Sequence, residues 1–124
     1  MGSWALWNVG VAGLLGAAGV ALAAVASHRV ADPSLTTAAL FLIIHGAAAL
    51  ALTALAGGSP WPTTVLVAAS LMLFAVTLFS GDVTARVLLG GRLFPMAAPL
   101  GGSLLILAWL TAGFSGIVAA LRGG

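Results

Sequence analysis

Long apolar stretches alternate with short polar ones along this chain. Residues 4–27, 33–56, 62–80 and 99–121 contain no Asp, Glu, Lys or Arg. Each has close to the roughly 20 apolar residues that a helix rising about 1.5 Å per residue needs to cross a bilayer. The runs show no alternation of period two and are rich in Ala and Gly, so strands are excluded. Inside lipid the backbone must satisfy its own polar groups, which leaves the helix as the assignment for each. The separators are HRVAD (28–32), GGSPW (57–61) and the longer GDVTARVLLGGRLFPMAA (81–98). Asp32-Pro33 supplies a cap followed by Pro at the first helical position, and Pro62 and Pro99 open the third and fourth helices. Short connections turn each helix back on its predecessor. The expected fold is an all-α membrane protein, one domain over residues 1–124, built as an antiparallel up-down-up-down bundle of four transmembrane helices.

Composition sharpens this expectation. The 124 residues are 62% hydrophobic and 5% charged, against about 25% charged in a soluble domain. The net charge of +2 comes from four Arg against two Asp, with no basic stripe, so nucleic acid is not an expected partner. The absence of Cys, Lys and Glu removes thiolate and Schiff-base chemistry, and two His with two Asp are too scattered for a metal site. No cofactor and no enzymatic activity are expected. The first run is longer than a signal-peptide core and lacks a basic start, so we read it as a permanent span. Arg29, Arg86 and Arg92 fall in the first and third loops, and Arg122 on the other side. The positive-inside rule then places loops one and three in the cytoplasm and both termini outside, in a cell (inner) membrane. Trp4, Trp7 and Trp61 gather on the terminal side, as an interfacial belt would.

Few residues depart from the apolar background. Small residues let membrane helices approach closely, and two rows qualify. One is Gly10, Gly13, Gly16 and Gly19 in the first helix; the other is Ala108, Ala112, Gly116 and Ala120 in the fourth. We expect them to pack within the chain, with an interface to another chain as the alternative. His45 lies deep in the second helix, and Trp109 lies at a matching depth in the fourth. The indole N–H can donate to a ring nitrogen, which makes His45 and Trp109 a candidate intramembrane polar pair. His28, Arg29, Asp32, Asp82, Arg86 and Arg92 all map to the side of loops one and three, forming a candidate interfacial cluster. Asp82 and Arg86, four apart in SGDVTAR, share a helix face if the third helix runs past Ser80. Gly101-Gly102 suggests close packing at the start of the fourth helix, and VLLGGRLFP (87–95) is a long connection for a bundle.

These landmarks carry a resemblance. VASHRV (25–30), LIIHGAA (42–48), FSGD (79–82) and PLGGSLLILAW (99–109) occur in the order seen in the YgdD/YwdK-like family of small four-helix inner-membrane proteins of unknown function. The resemblance covers about residues 10–115 and implies the fold and a membrane location, with no activity. Ser27, Ala108 and Asp82-Val83 depart from the family pattern. Three functions remain open at this point. The first is a non-catalytic accessory or assembly subunit, or a homo-oligomer, whose partners are the lipid bilayer and other membrane chains or itself. The second is a minimal oligomeric transporter or channel using His45. The third is a lipid-headgroup-binding protein using the His28/Arg29/Asp82/Arg86 face.

Overall fold

A computed structural model describes residues 1–123. It contains four helices: α1 (Ser3–His28), α2 (Pro33–Ala56), α3 (Pro62–Leu88) and α4 (Ala97–Leu121). All four are long and apolar enough to cross a membrane. The start of α2 follows from its cap, in which the Asp32 carboxylate accepts the Ser34 N–H at 2.8 Å. Two boundaries differ from the sequence expectation. α3 continues past Ser80 to Leu88, because nothing in GDVTARVL breaks a helix. It stops where Gly90 takes a φ of 77°, a left-handed turn natural to glycine. α4 begins two residues before Pro99, whose missing N–H falls in the first turn, where no intrahelical partner exists anyway. Met96 precedes it at φ 70°, a left-handed conformation that costs a non-glycine residue about 1–2 kcal/mol.

α2 packs against α1 on one side and α3 on the other, and α3 carries α4. The core is built around α2 and α3: Leu35, Ala38 and Ala39 meet Ala75, Val76 and Val83, with Leu22 and Leu105 closing it from α1 and α4. Ser80 stitches the central pair by donating its hydroxyl to the Ala38 carbonyl at 2.9 Å. The outer faces stay apolar, with Leu14, Val20, Phe74, Ile106 and Phe114 all exposed. A chain folding in water would leave few such residues together on its surface.

The glycines that pack tightly are mostly not those of the predicted rows. A Cβ at Gly101 would sit 2.6 Å from the Phe79 nitrogen and 2.8 Å from the Ala75 carbonyl, so only glycine lets α4 lie on α3 there. A Cβ at Gly46 would meet the Ala12 carbonyl at 3.1 Å, and one at Gly19 the Ala39 carbonyl at 3.0 Å. Of the α1 row, Gly19 thus packs against α2, while the side-chain directions of Gly10, Gly13 and Gly16 are open. The spacing of three drifts around a helix of 3.6 residues per turn, so one neighbour cannot cover it. In α4, Ala108 is buried and Ala112 half-buried, whereas Gly116 and Ala120 are exposed. Their expected packing within the chain is therefore corrected for Gly10, Gly13, Gly116 and Ala120.

Candidate functional site

α4 lies on α3 and leans toward α2 across a cleft, and aromatic side chains form its wall. Phe41 of α2 and Phe79 of α3 stack with centroids 4.8 Å apart. One turn along α2, the His45 ring meets Phe41 at 5.3 Å and the edge of Trp109 at 5.9 Å. The Trp109 indole N–H donates to His45 Nε2 at 3.0 Å, and His45 Nδ1 lies 2.8 Å from the Phe41 carbonyl. An indole only donates and a carbonyl only accepts. The hydrogen-bond network therefore assigns the proton to Nδ1 and leaves Nε2 as acceptor, a neutral ring with both nitrogens engaged.

Asp82 and Arg86 lie on the stretch of α3 beyond Ser80. Helical spacing brings Arg86 Nε to 3.4 Å from one Asp82 oxygen. The other oxygen accepts the Leu93 N–H at 2.8 Å, tying the α3–α4 connection to the end of α3. Asp82 is 1% exposed, while 41% of the Arg86 side chain remains accessible. The pair is therefore asymmetric: Arg86 can keep water or meet a ligand, whereas Asp82 depends on its protein partners.

These groups share a cavity of about 780 Å³. Phe41, Phe79, Trp109, Leu105 and Ile106 give it an apolar body. Asp82, Arg86, Arg92 and Ser103 line it as well, together with His45. The first two turns of α4 contribute Ala98, Pro99 and Gly102, placing the positive end of a helix at the same cavity. The His45–Trp109 pair and half of the charged cluster thus form one site rather than two.

The rest of the predicted cluster lies elsewhere. His28 and Arg29 are exposed at the end of α1, and Asp32 is occupied in capping α2. The expected gathering of all six side chains is corrected: α1 packs on α2, and the cavity opens among α2, α3 and α4. The sequence reading missed Phe41 and Phe79, although Phe41 is four residues before His45 and Phe79 three before Asp82. The helical period would have found both, Phe41 beside His45 on α2 and Phe79 beside Asp82 once α3 is carried past Ser80. It also missed a smaller polar contact between α1 and α3. There Trp4 Nε1 donates to Ser70 Oγ at 2.8 Å, and that hydroxyl donates to Asn8 Oδ1 at 3.0 Å. On the same side as Trp4, the Arg122 guanidinium lies 5.3 Å over the Trp61 ring.

No curated protein and no solved structure matches the chain. A family match covers α1 from Val11 onward, all of α2 and α3, the connection and the first turn of α4. It includes His45, Asp82, Arg86 and Arg92 and stops before Trp109. With residues 11–102 matched, the chain belongs to the protein family of unknown function DUF423.

Proposed function

We propose that this is an integral membrane protein that holds an anionic lipid in the cleft among α2, α3 and α4, without catalysing a reaction. The observation that carries this reading is the cavity itself, which joins an apolar, aromatic body to two arginines. An acyl chain suits the first part and a negatively charged headgroup the second. His28 and Arg29 drop out of the headgroup face expected from sequence, and Arg92 joins Asp82 and Arg86. The four spans alternate in direction on this reading. Its support is that Gly19 meets Ala39 while Ala12 meets Gly46, so residue numbers rise along α2 as they fall along α1. By the arginine distribution the cleft's charged end faces the cytoplasm and both termini face outward, in an inner membrane. Within DUF423, the motif order favours the YgdD/YwdK-like branch.

Native mass spectrometry of the protein released from its own membrane tests the proposal. One retained anionic lipid per chain is expected, lost when Arg86 and Arg92 are both replaced by Ala. Retention of lipid without regard to headgroup charge would overturn it.

A second reading, an accessory subunit or homo-oligomer, is favoured by the open side-chain directions of Gly10 and Gly13, which leave room for another helix on α1. The same spectra report it, because a partner chain or second copy adds its mass. Transport through His45 has less support as a proton path, since both ring nitrogens are already bonded.

A further inference from the structure

Two arginines line the cleft, and one carboxylate contacts the means by which both are held. The contact that Asp82 makes with Arg86 is at Nε, 3.4 Å from one carboxylate oxygen. A guanidinium carries five N–H donors, so one contacted at Nε keeps donors for a bidentate partner. The second Asp82 oxygen accepts the N–H of Leu93, the residue that follows Arg92. A single buried side chain thereby fixes one arginine directly and the backbone next to the other. Neither half follows from its own helix alone: Arg86 is nearly half exposed and has freedom to swing, and Arg92 belongs to an irregular segment between Gly91 and Pro95.

We infer that Asp82 is the positioning residue of the anionic-headgroup site: it sets Arg86 and Arg92 at the geometry of one phosphate, although its own charge opposes that ligand. This rests on the lipid-binding reading above, and it makes a prediction opposite in sign to simple electrostatics. If net charge governed the site, removing a carboxylate would strengthen anion binding. If geometry governs it, the same change weakens selectivity for the anion.

Asp82→Asn separates the two. The Asn side-chain oxygen can still accept the Leu93 N–H, so the connection stays tied, while the ion pair to Arg86 is lost. The experiment measures preference for phosphatidylglycerol over phosphatidylcholine, by native mass spectrometry from nanodiscs containing equal amounts of both. The number of lipids retained per chain is counted in the same spectra. Asp82→Asn is expected to lower the preference about tenfold, the scale of one well-oriented charged hydrogen bond, with the lipid count unchanged. A merely structural role would lower the count and leave the preference alone. An unchanged or increased preference overturns the inference.

Arg86→Lys covers the case in which Asp82→Asn does not fold. It keeps the charge but has no planar fork, so it is expected to lose preference to a similar degree. Full preference in Arg86→Lys overturns the role of geometry. A wild-type protein with no preference for phosphatidylglycerol would instead defeat the lipid-binding reading, before any variant is compared.

Discussion

α2 faces α1 and α4 in opposite ways. Against α1 it lies close, with Gly46 under the Ala12 carbonyl and Gly19 under Ala39, where no Cβ stands between the backbones. Toward α4 it presents Phe41 and His45, and a hydrogen bond from Trp109 crosses the gap. Both contacts come from helices of almost the same mean hydropathy. Side-chain size decides the outcome: where Cβ atoms are absent or small, backbones touch, and where rings project they prop helices apart. The wider side is the cleft lined by Phe41, His45 and Trp109. Polar groups are retained there, with His45 and Trp109 bonded to one another and facing the cavity.

The largest expected effect falls on the cleft side. Arg86→Ala leaves Asp82 buried without a countercharge, and we expect a loss of about 3 kcal/mol. Arg29→Ala, at an exposed position on the α1–α2 side, should cost nothing measurable. Thermal unfolding of both variants in nanodiscs gives the comparison. Equal stability would mean that the cleft does not depend on the pair.

Next come the glycines. Gly101→Ala forces a Cβ against backbone atoms of α3, which cannot swing aside, and should cost about 2 kcal/mol. Gly46→Ala is tight by only a few tenths of an ångström and should cost about 1 kcal/mol. Gly13→Ala meets nothing and should be neutral in an isolated chain. The same series read by oligomer mass sharpens the accessory-subunit alternative. A Gly13→Ala variant that stays folded but loses a partner would show that the open row of α1 is an interface.

The smallest effect concerns the bond across the gap. A double-mutant cycle with His45→Ala and Trp109→Phe should return a coupling of about 0.6 kcal/mol, the usual worth of a polar contact between membrane helices. A coupling near zero would mean that the rings alone set the spacing.

Much of the site was legible in the sequence. Helical period and depth sufficed to pair Asp82 with Arg86 and His45 with Trp109, because each relation depends on rise per residue. The burial of Asp82 was not legible. It depends on the α3–α4 connection folding back so that Leu93 reaches the carboxylate, a contact eleven residues apart that helical period does not predict. The separation of His28 and Arg29 from the cleft was hidden for a related reason. Charge counting places residues on a side of the membrane but not around the bundle's circumference.

The sequence by itself determined four apolar helices, the cap of α2 and the pairs that share a helix face or a depth. Those properties follow from local hydrogen bonding and from the distance along one axis. The tertiary structure alone decided how each helix is rotated about that axis. That rotation turned Gly19, Gly46 and Gly101 inward and Gly10 and Gly13 outward, and it brought Arg86, Arg92 and His45 to one cavity. In helices apolar all round, hydrophobicity does not favour one face over another. Contact shape and a few hydrogen bonds set the rotation instead, and both exist only once the helices have met.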